Sequence, residues 1–339
     1  MTRSSLKLTR AEILAFRRRV GALDERLPKG SRSLRRAAWA GLQDSMPRAA
    51  LLSIHARVAG TQSDTWEDPS LVQLWGPRFS AYVVPARDLA AFSLGRYPDD
   101  AKGRQVAENL AARLKSNLAD KRMGYRKAGD ALGEPPNRLK YAATTGTVVM
   151  RWAGALQPTI WIVPRPEVEP HEARLELARR YLHVFGPGTP ETFANWAGIG
   201  ARAGLAAFDK LRASLIPVRT PIGDAWILTR DEPTFRAASE APAPARFLPS
   251  GDAYFLFWGA DRELLVTDRA RRQELWTSRV WPGALLVDGE IAGTWRRAEA
   301  KVVIQSWRRL SQAARDAVEA EATSLPLPGL TTSISILWD

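Results

Sequence analysis

The 339 residues, 45% hydrophobic and 25% charged, have the make-up of a multi-domain globular protein able to bury a real core. The chain has no cysteine and only three histidines, which excludes a disulfide framework or thiolate zinc site and leaves few ligands for any other metal centre, so neither a metal nor another cofactor is expected. A formal charge of +13 favours a polyanionic partner, and the excess is concentrated: residues 1–50 carry twelve basic side chains against four acidic ones.

The first residues, Met1 to Lys7, are basic without the apolar run of a signal peptide, and no stretch approaches 18 consecutive apolar residues. The expectation is a cytoplasmic, nucleoid-associated protein. A lipid surface is disfavoured because no lipidation motif accompanies the charge.

Thr9 and Glu12 form a capping box, and Ile13, Phe16, Val20 and Leu23 recur at spacings of three and four, predicting a first helix. After Pro28-Lys29-Gly30, Leu34, Ala38 and Leu42 mark a second. Pro47 sits at the start of a third, whose buried stripe is Ala50, Leu51, Ile54 and Val58. Between the last two lies a turn, Gln43-Asp44-Ser45-Met46. Phe79 to Val84 reads as a strand closed by Pro85, and Leu71 to Trp75 either as its partner or as the last turn of a helix.

The order repeats. Residues 101–118 form a helix with Val106, Leu110 and Leu114 in register, followed by a shorter one from Tyr125 to Leu132. Gly133-Glu134-Pro135-Pro136 then breaks the chain before Asn137 to Ala143, a candidate recognition helix carrying Arg138, Lys140 and Tyr141. Thr147 to Trp152 and Thr159 to Val163 make a hairpin, again closed by proline. A third copy runs from a helix at Glu172 to Phe185 through the N-cap Thr189-Pro190-Glu191 to Gly198, where a small residue at Ala194 and a glycine four later suit a helix-turn-helix. The helix beyond buries Leu205, Phe208, Leu211 and Leu215 and presents Arg202, and strands Ile216 to Arg219 and Ala225 to Thr229 close the unit.

Helix, helix, turn, helix, hairpin is the order of a winged helix-turn-helix. The predicted class is therefore α+β: three tandem winged helix-turn-helix units at 1–96, 97–168 and 169–238, then a β-rich domain at 239–339. Residues 239–246, rich in Ala-Pro, read as a linker. The last domain is expected to hold strands at Tyr254 to Trp258 and Glu263 to Thr267, a hairpin turning on Asp288-Gly289, further strands at Lys301 to Trp307 and Thr332 to Trp338, and a helix near Ser311 to Leu325, most simply as a small barrel or half-barrel.

Such units place their third helix in a groove of duplex DNA with arginine and lysine on the phosphates, so double-stranded DNA is the expected partner. Arg35, Arg36, Arg48, Arg138, Lys140 and Arg202 are the candidate contacts. An RNA partner is disfavoured, because no stacking-sheet motif appears.

Five stretches taken together resemble the AlkZ-like winged-helix DNA glycosylases. They are Leu42-Gln43-Asp44-Ser45-Met46-Pro47-Arg48-Ala49-Ala50-Leu51-Leu52; Val84-Pro85 with Asp88-Leu89; Phe185-Gly186 through Trp196-Ala197-Gly198; Phe247-Leu248-Pro249; and Leu286-Val287-Asp288-Gly289 with Gly293-Thr294-Trp295. The resemblance implies a C-shaped array of three winged helices with a C-terminal β-barrel, and excision of bulky N7-alkylated purines, that is, repair of alkylation damage. Its catalytic signature is glutamine, an apolar residue, then glutamine or a carboxylate, in the first unit's turn. Gln43 matches. Asp44 replaces the apolar residue, and Ser45 stands at the second catalytic position.

An N7-alkylated purine already carries positive charge, so its excision requires chiefly a held water and a dipole or carboxylate beside an oxocarbenium-like sugar. Gln43, Asp44 and Ser45 are the candidate catalytic residues on that reading. The plainer alternative is that the turn only caps the following helix, in a non-catalytic winged-helix protein that regulates transcription or shields DNA. His55, beside the turn, is a conceivable general base, with a packed or solvated imidazole the simpler role. The thirteen tryptophans are stacking candidates, though core packing suits most of them.

Overall fold

Thr9 opens the first helix as its sequence predicts. Its hydroxyl accepts from the Glu12 amide at 3.2 Å and its own amide donates to the Glu12 carboxylate at 2.7 Å, a reciprocal cap that contributes about 1 kcal/mol. In this computed structural model, which describes residues 6–46, 48–154, 157–237, 243–330 and 332–339, a short strand β1 (Leu6–Lys7) precedes that helix, α1 (Arg10–Val20). The expected start of the third helix at Pro47 and the first half of the expected linker at 239–246 lie outside the described residues.

Helix α2 (Ser31–Ala37) ends earlier than its apolar spacing suggests, because Gly41 turns the chain at φ +78° and Leu42 enters strand β2 (Leu42–Gln43) instead. Helix α3 (Ala49–Arg57) follows, and Leu34, Leu51, Ile54 and Val58 close one core. Strands β3 (Leu71–Trp75) and β4 (Ala81–Pro85) pair antiparallel, which settles the ambiguous segment as a strand. A short helix α4 (Leu89–Phe92) leads into α5 (Ala101–Leu118), capped by Asp100.

Strand β5 (Met123–Gly124) and α6 (Tyr125–Leu132) follow. Where a recognition helix was expected, residues Pro136–Thr145 form a run of tight 3-10 turns. Two prolines start it, and the Thr144 and Thr145 hydroxyls each donate to the carbonyl three residues back at 2.8 Å, offering the backbone an alternative to α-helical bonding. Strands β6 (Val148–Arg151) and β7 (Thr159–Ile162) then form the second hairpin.

The third unit has α7 (Pro170–Phe185), α8 (Pro190–Ala197) and α9 (Ala201–Leu211), then β8 (Leu215–Thr220), β9 (Gly223–Leu228) and α10 (Glu232–Arg236). Thr189 caps α8, and Gly198 supplies the left-handed turn at φ +70°. Helix α1, though first in sequence, packs here: Phe16 stacks on Phe235 at 3.6 Å, and β1 runs parallel to β8. Patterning showed that α1 has an apolar face but not which face it meets.

The remaining elements are β10 (Arg246–Leu248), α11 (Asp261–Leu265), α12 (Arg269–Leu275), β11 (Gly283–Val287), β12 (Glu290–Ala298), β13 (Lys301–Ser306), α13 (Gln312–Thr323) and β14 (Ser335–Trp338). The hairpin on Asp288-Gly289 forms as expected, with φ +52° and +80°. The segments at Tyr254 to Trp258 and Glu263 to Thr267 are not strands. The first is irregular and buries Tyr254, Phe255, Leu256 and Phe257 consecutively, and the second is largely α11.

Among the described residues the strands form three sheets, ordered β1-β8-β9, β2-β4-β3-β6-β7-β5 and β10-β11-β12-β13-β14. The last is open, which corrects the barrel expectation. Its edge strands β10 and β14 are short, and α13 lays Val318 and Ala322 against Val302, Ile304 and Leu285, so the sheet buries its face under a helix rather than by closing on itself. The second sheet joins the first two hairpins through Gln73 opposite Met150. Among the described residues no helix is long and apolar enough to cross a membrane, and no group of three or more metal-ligating side chains is gathered.

Candidate active site

Strand β2 sets the facing of the turn. Leu42 pairs with Val83 and Gln43 with Tyr82, and the Asp44 amide donates to the Ala81 carbonyl at 2.8 Å. Alternation along an extended chain then sends Leu42 and Asp44 inward and Gln43 to the opposite side. Gln43 Nε2 donates to Ser45 Oγ at 3.2 Å, and both residues line a cavity of about 310 Å³. Arg78 and Arg279 supply its cations and Trp258 and Trp281 its aromatic walls.

The wall opposite Gln43 is Ser250-Gly251. Gly251 sits at φ +78°, and a Cβ there would stand 2.9 Å from Gln43 Oε1, so the bare backbone clamps the amide in place. That wall is anchored by the next residue. Asp252, 1% exposed, accepts from Arg57 through both oxygens at 2.7 Å and from Ser53 Oγ at 2.6 Å, which fastens the C-terminal segment to α3.

Asp44 does not line the cavity. It is 2% exposed; Oδ1 accepts from the Ala50 amide at 3.0 Å, capping α3, and Oδ2 accepts from Gln73 Nε2 at 2.7 Å. Gln73 Oε1 in turn accepts from the Trp152 amide at 2.5 Å, at the point where the first two hairpins meet. Burial pushes the Asp44 carboxyl up to about 7, against the pull of the Ala50 amide and Arg48. Both oxygens accept, so the network uses the ionised form.

The expected DNA contacts divide. Arg138 and Arg202 are exposed and line one larger cavity together; Arg36 is exposed elsewhere, and Arg35 and Lys140 are half-buried. Arg48 is committed to the fold: its guanidinium lies 3.9 Å from the Trp66 ring, beside that of Arg151 at 3.8 Å, and donates to the Trp152 carbonyl at 3.2 Å. His55 is also packed. It touches Arg26 and Ser324, and burial lowers it to about 4, with Arg26 and Arg246 adding to the effect.

Sequence reading missed Arg78, Arg279, Trp258, Trp281 and Gly251. Phe247-Leu248-Pro249, singled out in the sequence, ends immediately before the Ser250-Gly251 wall and was the available signal.

The cleft thus sets fixed neutral polar groups beside two tryptophans and two arginines. The profile of the AlkZ-like DNA glycosylases matches residues 34–326, and the chain belongs to that family. The Interstrand DNA cross-link repair glycosylase of Streptomyces sahachiroi is 28% identical over 162 residues, which is 45% of this chain and 42% of that protein, so the match spans less than half the relative. The solved structure of the Streptomyces sahachiroi DNA glycosylase AlkZ superposes with a TM-score of 0.79 at 17% identity, covering 98% of this chain and 100% of that one, which establishes the likeness of fold.

Proposed function

We propose that this chain hydrolyses the N-glycosidic bond of purines that already carry positive charge, such as N7-alkylated guanine in duplex DNA. The observation that carries the reading is the composition of the Gln43 cleft. Among the described residues its lining includes no carboxylate and no imidazole; its polar side chains are neutral except for the guanidinium groups of Arg78 and Arg279. A neutral base needs a proton to leave, and nothing here is placed to give one. A cationic purine departs with the C1′–N9 electron pair and becomes neutral. Water adds to C1′, and its proton passes to solvent. Gln43 Oε1 accepts from that water, its Nε2 holds Ser45, and both dipoles lie beside the developing cation.

In this reading each helix set with its hairpin serves as a winged-helix unit, within 1–96, 97–168 and 169–238, along the DNA, and 239–339 contributes the wall that closes on Gln43. The order of helix, helix, turn, helix and hairpin supports it in the first and third sets, and in the second the 3-10 run Pro136–Thr145 stands where the third helix would be. Asp44 acts as a positioning residue, since its contacts hold the turn without entering the cavity.

One observation favours the alternative of a binding protein without excision: the only carboxylate of the turn faces the core. The experiment that separates the two uses the full chain on duplex DNA carrying a single N7-methylguanine, followed by hot alkali to break abasic sites. Excision is expected, and Gln43→Ala should lower its single-turnover rate about 100-fold or more while leaving DNA affinity within a few-fold. Binding without strand breakage by the wild type would establish the alternative.

A further inference from the structure

The turn between β3 and β4, Pro77-Arg78-Phe79, stands between two cavities. Pro77 and Arg78 line the Gln43 cleft, and Phe79 lines a larger cavity of about 660 Å³. Arg78 and Phe79 both hold left-handed backbone, at φ +54° and +57°. Two such non-glycine residues in succession are strained and persist only where the surroundings fix them, often at ligand sites. Here Gly198 closes in so tightly that a Cβ on it would stand 2.9 Å from the Arg78 nitrogen. The Arg96 guanidinium lies 4.5 Å from the Phe79 ring, and Tyr141 meets that ring edge-on at 5.1 Å.

The larger cavity combines an aromatic and apolar wall with a rim that carries Lys102, Arg138 and Arg202. Tyr141 is 44% exposed, and Val106, Ile199 and Ala203 continue the apolar surface. Lys102 and Arg202 are exposed and make no hydrogen bond or ion pair among the described residues; Arg138 reaches Glu134 only at 3.4 Å. The carboxylates nearby are already engaged. Asp99 pairs with Arg174 at 2.7 Å, and Asp100 caps α5 through the Gly103 amide at 2.7 Å. A planar ring bearing a phosphate matches that combination, and the size is that of a small-ligand pocket.

We propose that this cavity is a second nucleotide subsite, which takes a displaced nucleotide of the same DNA whose lesion lies at Gln43. Its base stacks on Tyr141 and Phe79, and its flanking phosphates meet Lys102, Arg138 and Arg202. The inference rests on the DNA-processing reading above. It adds that the strained turn divides two displaced nucleotides.

The test needs no excision. The full chain is titrated with two lesion-free duplexes, one fully paired and one with a single unpaired 2-aminopurine, following anisotropy and 2-aminopurine emission. The bulged duplex is expected to bind about tenfold more tightly, with its emission quenched by stacking. Tyr141→Ala should abolish the quenching and most of the preference, Tyr141→Phe should retain both, and Arg202→Glu should weaken the preference, each with a melting temperature near wild type. Equal binding of the two duplexes, or a preference that survives Tyr141→Ala, would overturn the proposal, as would competition by polyglutamate as effective as by bulged DNA. A Tyr141-dependent preference in a protein that excises nothing would defeat the excision reading alone and leave this one standing.

Discussion

The Gln43 turn and the Tyr141 cavity lie on either side of one hairpin tip and are built on opposite plans. Around the turn, side chains are tied down from three directions: Asp44 to α3 and β3, Gln43 to Ser45 and Gly251, and Gly251's neighbour Asp252 to Arg57. Around the cavity, Lys102 and Arg202 are exposed and make no hydrogen bond or ion pair among the described residues. A group that must present one atom to one bond gains from rigid support, whereas groups that meet a string of phosphates can stay mobile and solvated. The contrast also sorts residues of one type. Arg48 is stacked on Trp66 and spent on the fold, while Arg202 is exposed and has no partner among the described residues.

The sharpest way to break this comparison is to loosen the rigid side. Gly251→Val places a branched side chain at φ +78°, where even a Cβ comes within 2.9 Å of Gln43 Oε1. Displacing the amide by about 1 Å should lower single-turnover excision about 100-fold, with DNA affinity largely retained. A loss of only a few-fold would mean that Gln43 does not depend on its clamp. Next in size is Asp44→Ala, which removes the cap of α3 and leaves the buried Ala50 and Gln73 donors unsatisfied. Urea unfolding should show a loss of about 2 kcal/mol. No measurable loss would remove Asp44 from the support of the turn.

Much of the fold beneath this contrast was legible in the sequence, though not the contrast itself, and the reasons are physical. Periodicity and capping located α1, α5, α7 and α8, and Asp288-Gly289 marked its hairpin, because those signals are local. The inward turn of Asp44 was not legible, since it depends on the pairing of two residues of β2 with β4, across some 40 residues of chain. The barrel expectation counted strands in the last domain without seeing that α13 covers their sheet. Tyr254 to Phe257 looked like a strand because it is apolar, but a run buried on every side has no alternation to separate strand from irregular chain. Trp258 and Trp281 could be named among thirteen tryptophans but not chosen, because only the fold brings them to Gln43.

A milder test separates stability from activity through pH. The Asp44 carboxyl is raised from 3.8 to about 7 in the folded protein, so the native state holds its proton more tightly than the unfolded chain. The stability that this brings is fully present below about pH 4 and is lost as pH rises through about 7. Excision should run the other way, because only the ionised form accepts from both Ala50 and Gln73. From pH 8 to pH 5 the melting temperature of the wild type should gain on that of Asp44→Asn, while the ratio of their excision rates shrinks toward unity. If the two differences move together, Asp44 does not position the turn through its charged form.

The smallest expected effect compares the two arginines directly. An arginine on a phosphate releases counterions, so removing it lowers the slope of log K against log salt by about one and weakens binding evenly across sequences. Arg202→Ala should do this while leaving the melting temperature near wild type, because Arg202 has no partner to lose among the described residues. Arg48→Ala should leave the slope unchanged and lower the melting temperature, because it uncovers one contact of Trp66 and frees the Trp152 carbonyl. Salt titrations by fluorescence anisotropy, with thermal melts of the same preparations, give both quantities. Were the slope to fall with Arg48 and not with Arg202, the division between a fixed cleft and a solvated rim would be drawn on the wrong side of the hairpin, and the phosphates would have to run past Trp66 instead of Tyr141.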